Sequence, residues 1–200
     1  IAIAYKFFDH TNLTISQLAI VLALTCVYVN IQQQKITRDA LSNLNNRFSL
    51  EKYLDDITKQ FPENRDPINL IFIDILNFKK INDNFGHVEG DILVCEIASK
   101  LRNLCNSKKC FLARYSGATF AIVTIGMLTS EVSDFKETIK KSLEKNDNDK
   151  KYENKVLLSS KSYEMQLKNT KEFIQKTLAQ ITEEKAKIKA ENNAAKLETK

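Results

Sequence analysis

Asp74, Asn82 and Asp91 fall within one stretch, residues 71–91, that reads IFIDILNFKKINDNFGHVEGD. Asp74 closes an apolar run, and the chain turns toward helix-forming sequence directly after it. In an α/β sheet a carboxylate at that place faces the crevice where ligands bind. Magnesium takes one or two protein carboxylates together with phosphate oxygens and water. Asp74 and the Ile75 carbonyl are therefore candidates for part of a metal shell, with a helix-capping aspartate as the plain alternative. Asn82 and Asp91 stand nine residues apart around a Gly86-His87 turn. Guanine offers N–H donors and an O6 acceptor, so an aspartate accepting from N1–H and N2–H beside an asparagine would tell guanine from adenine. Their ordinary roles are a charge at a helix N-terminus for Asp91 and a turn residue for Asn82. His87 reads as structural, its ring nitrogens tying the turn.

Positioning these side chains takes alternating strands and helices. INLIFIDI (68–75) is apolar nearly throughout, as a strand covered on both faces is. NFKKINDNFGH gives a short helix and turn, and DILVCEIASKLRNL (91–104) is strongly helix-periodic. FLARYS and TFAIVTIG are two strands about a tight turn at Ser116-Gly117. Residues 130–145 predict an amphipathic helix, NDNDKKYEN a charged loop and KVLLSS a short strand. TKEFIQKTLAQITEEKAKIK is the last helix, with Ile174, Leu178, Ile181 and Ile188 on its apolar face, and 191–200 reads as a frayed tail. Upstream, SLEKYLDDITKQF (49–61) is a helix with Ser49 as N-cap and Leu50, Tyr53, Leu54, Ile57 and Phe61 on one side. Residues 31–48 read as a helical linker and FPENRDP as a loop. The order predicts an α/β (α+β) fold with a mixed central sheet flanked by helices.

From Thr11 to Gln34 no side chain is charged, and LAIVLALTCVYV (18–29) is apolar but for one Thr. About 20 such residues in a helix span roughly 30 Å, a bilayer core. Tyr28 suits an interfacial aromatic, and Lys35 and Arg38 follow at once, which by the positive-inside bias puts the remainder in the cytoplasm. The reading is a transmembrane helix in the inner (cytoplasmic) membrane, the alternative a buried or dimer-packing helix. No basic leader or small-residue cleavage site frames the segment. The chain opens on Ile, as a piece of a longer protein would.

The composition, 43% hydrophobic and 28% charged, excludes a chain that is mostly membrane. The net charge of +5 comes from dispersed lysines, a solvated surface rather than a nucleic-acid footprint, and no run interleaves basic and aromatic residues. Cys26, Cys95, Cys105 and Cys110 make no metal spacing with the two histidines and read as reduced thiols packed as small hydrophobes.

With those residues in view, the chain resembles the GGDEF domain family, the diguanylate cyclases and their inactive relatives, over roughly residues 38–190. RDALSNLNNR (38–47) is similar to the family's D-x-L-T-x-L-x-N-R motif. FIDILNFKKINDNFGHVEGD is similar to D-I-D-x-F-K-x-I-N-D-x-x-G-H-x-x-G-D, the most specific match. RYSGATFAIV lies where the family has R-Y-G-G-D-E-F, and 170–185 resembles the closing helix. Active members condense two GTP into cyclic di-GMP across a dimer. On that resemblance Asp74 is the metal-binding aspartate, Asn82 and Asp91 contact guanine, Lys79 lies near the phosphates and Lys185 matches the closing-helix lysine.

The departures bear on activity. Ala118 and Thr119 stand where the Asp/Glu pair of the signature belongs, and Leu76 replaces the second Asp of D-I-D. One carboxylate does not fix the coordination that metal activation of a 3′-hydroxyl requires. Losing about 4 kcal/mol of transition-state stabilisation costs about a thousandfold in rate. Ser116 replaces the first glycine of the turn, and positive φ there would strain it. The product-inhibition motif R-x-x-D would fall on Ser107 and Cys110. The expectation is a membrane-anchored cytoplasmic module with three parts: residues 1–37 (span and linker), 38–190 (degenerate GGDEF domain) and 191–200 (tail). It binds GTP or a related guanine nucleotide, with Mg weak or absent, and pairs as a homodimer through the linker helix. An active cyclase and a ligand-free scaffold are the alternatives.

Overall fold

The computed structural model describes residues 15–29, 32, 37–64, 66–144, 155–163 and 169–198. In chain order the elements are helix α1 (residues 15–29), α2 (Arg47–Asn64), strand β1 (Ile68–Ile75), α3 (Phe78–Phe85), α4 (His87–Lys108), β2 (Phe111–Ser116), β3 (Thr119–Ile125), α5 (Thr129–Glu144), β4 (Val156–Ser162) and α6 (Thr170–Glu198). The chain divides into two compact units, Ile1–Arg38 and Asp39–Lys200.

In the second unit the four strands form one sheet in the order β2-β3-β1-β4. Every pairing is antiparallel, which corrects the mixed sheet expected from sequence. The reason is topological. β1 and β2 do run in the same direction, as a helical crossover demands, but β3 inserts between them and is antiparallel to both. The result is a split βαβ, the β-α-β-β-α-β arrangement, with α3 and α4 together forming the first crossover.

Alternation along the strands sorts the core into two layers. Ile71, Ile73 and Ile75 of β1 and Phe120 and Ile122 of β3 pack with Leu93, Ile97 and Leu101 of α4 and Phe135 and Ile139 of α5. Ile68, Leu70 and Phe72 of β1 with Ala121 and Val123 of β3 pack against Leu50 and Leu54 of α2 and Phe173, Ile174 and Ile181 of α6. All eight residues of β1 are buried, as a central strand covered on both faces must be.

Several local expectations are corrected. Asn46, not Ser49, caps α2: its side-chain oxygen accepts the Ser49 amide at 3.0 Å, and the helix starts two residues earlier. Residues 39–46 are a turn rather than part of a linker helix, because Asn43 takes a left-handed φ of 53° and Asp39 bonds back to the chain. α2 runs on to Asn64 and α6 to Glu198, absorbing what read as loop and tail. The hairpin turn centres on Gly117-Ala118; Gly117 alone takes positive φ (48°), so Ser116 carries no such strain. Cys105 is buried and Cys110 half-buried, whereas Cys26 and Cys95 are exposed. The predicted transmembrane helix is not supported: among the described residues no helix is long and apolar enough to cross a membrane. At 1.5 Å per residue, the helical residues 15–29 extend about 22 Å against a core of about 30 Å. The flanks of the predicted span, 11–14 and most of 30–36, lie outside the described residues.

Candidate functional site

Strand register decides what surrounds Asp74. It pairs across from Thr119 of β3, and both positions have the parity of Phe72 and Ala121, so their side chains face the α6 side of the sheet. The Thr119 hydroxyl donates to Asp74 Oδ1 at 2.6 Å. Lys185 Nζ lies 2.5 Å from Asp74 Oδ2. Lys185 arrives there because Ile181, one turn earlier on the same stripe of α6, is buried against the sheet. Asp74 is only 5% exposed, and a carboxylate so enclosed requires hydrogen-bonded partners to stay charged. Ile75 and Ala118 point the other way, into the α4 layer, and the Ile75 amide donates to the Ala118 carbonyl at 3.3 Å.

A second group forms on the α3–α4 side. Ile81 anchors α3 in the core, and the next residue, Asn82, has a buried Oδ1 with no hydrogen-bond partner among the described residues. That oxygen rests against Gly90, where an added Cβ would lie 1.8 Å from it. Asp91 follows Gly90 and is exposed, as is Lys79 in the first turn of α3. α4 begins at His87, four residues before the sequence reading, so Asp91 sits in its second turn. His87 is exposed; the turn is held instead by main-chain bonds, Gly86 N–H to the Asn82 carbonyl at 2.9 Å and Gly90 N–H to the Gly86 carbonyl at 3.3 Å. Gly86 at φ 88° permits the sharp passage between the two helices. The six candidates are therefore gathered in two groups: Asp74, Ile75 and Lys185 at the end of β1, and Lys79, Asn82 and Asp91 on α3 and α4.

Sequence reading missed a third feature, the junction of residues 39–47 with the hairpin. Asp39 Oδ1 accepts from the Ser42 amide (2.8 Å), the Ser42 hydroxyl (2.7 Å) and Arg114 Nη1 (2.9 Å). Arg114 Nε donates onward to the Gly117 carbonyl at 2.8 Å, bracing the turn. Burial acts to raise the Asp39 pKa, but the bonds from Ser42 and Arg114 outweigh it and hold the carboxyl below its ordinary 3.8. An open concavity of about 640 Å³ lies here, bordered by Asp39, Arg47, Glu51, Arg114 and Gly117. The pairing of Asp39 with Arg114 spans 75 positions, and only the matching of both segments to family motifs hinted at it.

The residues at Asp74 do not fit a divalent metal. Both oxygens already have partners, the signature positions offer a methyl and a hydroxyl, and among the described residues no cluster of three His, Cys, Asp or Glu side chains could hold an ion.

Comparison with known proteins agrees with this architecture. The family model described as diguanylate cyclase, GGDEF domain, matches residues 36–195. Diguanylate cyclase VdcA of Vibrio cholerae is 32% identical over 107 residues, 54% of this chain and 30% of that protein. Response regulator PleD of Caulobacter vibrioides is 38% identical over 86 residues, 42% of this chain and 18% of PleD. The chain thus spans less than a third of the length of these curated relatives. Among solved structures, the GGDEF domain of DgcB from Caulobacter crescentus in complex with c-di-GMP superposes with a TM-score of 0.66 at 25% identity, covering 72% of this chain and 86% of that one. The FimX GGDEF domain from Pseudomonas aeruginosa gives 0.68 at 16% identity over 76% of this chain and 94% of that one, a likeness of fold alone.

Proposed function

The chain belongs to the GGDEF domain family, and on that premise we propose that it is a non-catalytic module of cyclic di-GMP signalling that binds GTP or a related guanine nucleotide. The single observation carrying this reading is the buried Asn82 Oδ1, unpartnered among the described residues. Buried acceptors are nearly always satisfied, and one left open marks a place where something else donates. Guanine brings such a donor, and exposed Asp91, next to the glycine against which Asn82 rests, supplies a second acceptor for N1–H and N2–H. Lys79 and Lys185 carry the positive charge for phosphates. Against catalysis stand Ala118 and Thr119, since cyclisation needs carboxylates there to activate a hydroxyl through metal.

Membrane anchoring, a cytoplasmic domain and pairing with a second copy belong to the same proposal. They rest on residues 15–29, where Leu18, Val21, Leu22, Leu24 and Val27 are all exposed. Contiguous apolar side chains of that kind mark a membrane or partner surface.

The test is a calorimetric titration of GTP into the 200-residue chain, with Asp91→Ala as the control. Saturable heat with wild type is expected, with affinity reduced at least about tenfold in Asp91→Ala, the scale of one lost bond to a charged acceptor. Absence of heat from folded wild-type protein would leave the scaffold reading in its place.

A further inference from the structure

We infer that the Lys185 ammonium is a built-in cation that keeps divalent metal away from Asp74, so that the nucleotide site works without magnesium. The second half of this statement rests on the function proposed above; the first half does not.

Three observations meet here. Asp74 has one oxygen bonded to the Thr119 hydroxyl at 2.6 Å and the other to Lys185 Nζ at 2.5 Å, so a metal ion reaching this carboxylate would have to share it with an ammonium or displace that ammonium. An ammonium left beside it would repel a double positive charge strongly at such short range and low exposure. No second carboxylate stands beside it at the signature: Ala118 is buried in the opposite layer with Ile75 and Phe120, and no cluster of three ligating side chains exists among the described residues. Finally, Lys185 is not sealed in. Its side chain is 43% exposed while that of Asp74 is 7%. An ammonium has three N–H donors. With one directed to Asp74, it retains two for a phosphate oxygen arriving from solvent. Asp74 and Thr119 thereby become positioning residues: they hold the lysine head at the end of β1, where a metal would otherwise meet the phosphates.

Mn2+ alone is the probe, and the free-ion signal in electron paramagnetic resonance is the readout. Wild-type protein should leave millimolar Mn2+ free. Lys185→Glu puts a second carboxylate where the ammonium was and should take up one Mn2+ at least about tenfold more tightly than wild type, as paired carboxylates do. Lys185→Glu combined with Asp74→Asn should lose that uptake. Should Lys185→Glu fail to fold by circular dichroism, Lys185→Gln is measured instead, and its affinity for Mn2+ should still exceed wild type. The inference is overturned if wild type binds one Mn2+ that Asp74→Asn abolishes, or if the folded Lys185 variants hold no more Mn2+ than wild type. GTP titrated in Mg2+ and, separately, in EDTA separates the two proposals. Equal affinity in both supports metal-free binding; binding only with Mg2+ overturns it while leaving the guanine-nucleotide reading intact. No GTP binding in either, with the Mn2+ results as expected, removes that reading and leaves the metal exclusion standing.

Discussion

Gly90 and Asn82 form a pair in which the smaller residue exists for the larger. A methyl at position 90 would collide with Asn82 Oδ1 at 1.8 Å, but the struck atom is the end of a rotatable side chain, not backbone. Gly90→Ala should therefore fold, helped by up to about 1 kcal/mol of helix propensity, while Asn82 swings out of its pocket. The expected result is an unchanged or raised melting temperature with GTP affinity down at least about tenfold in calorimetry. A variant that binds GTP like wild type would show that Asn82 does not hold the base. The spacing of Asn82 and Asp91 was legible in the sequence because it lies within one local stretch; the contact of Asn82 with Gly90 was not. The partner of Asp74 was not, since Lys185 is brought by α6 from more than 100 positions away, and only burial of Ile181 fixes its direction.

At the scale of elements, the segment before α2 does more than lead into the domain. Asp39 ties Arg114, Arg114 braces Gly117, Asn45 Nδ2 donates to the Leu112 carbonyl at 2.8 Å and Arg102 donates to the Ser42 carbonyl at 3.0 Å. Polar composition with sparse apolar positions suggested a linker helix for residues 31–48, but Asp39 and Ser42 take local backbone amides instead, as such side chains do in competition with a helix. Helix and strand identities were otherwise legible, since hydrophobic period is local; sheet order was not, because it depends on which strand inserts between β1 and β2. The Asp39 clamp has a pH signature. Its folded pKa lies below 3.8, so its stabilisation is fully present above that value and is lost as pH falls through the lowered folded pKa. Asp39→Asn should cost about 1–3 kcal/mol in urea unfolding at pH 7, the range for removing a charged acceptor. The gap to wild type should narrow as pH falls below 3.8 and close beneath the lowered folded pKa. A gap that persists there would mean that the carboxylate charge is not what holds Arg114.

For the whole molecule, both hydrophobic clusters are drawn entirely from the unit Asp39–Lys200, with Leu41 the earliest contributor. Among the described residues neither cluster takes in a side chain from before Asp39, and a domain with its own core is one that folds alone. Among the described residues, Leu18, Val21, Leu22, Leu24 and Val27 of 15–29 are instead exposed. On the anchored-module proposal, folding and attachment are then separable. Deleting residues 1–38 should leave the thermal midpoint within about 4 °C of the full chain, the equivalent of about 1 kcal/mol at this size. The same deletion should abolish co-sedimentation with phospholipid vesicles, which the full chain should show. A full chain that stays in the supernatant would remove the membrane and leave helix pairing as the use of that apolar surface, which sedimentation equilibrium would then report as a dimer lost on deletion. A large fall in the midpoint would instead mean that the first unit contributes to the core of the second, against the separation on which the anchored-module reading depends.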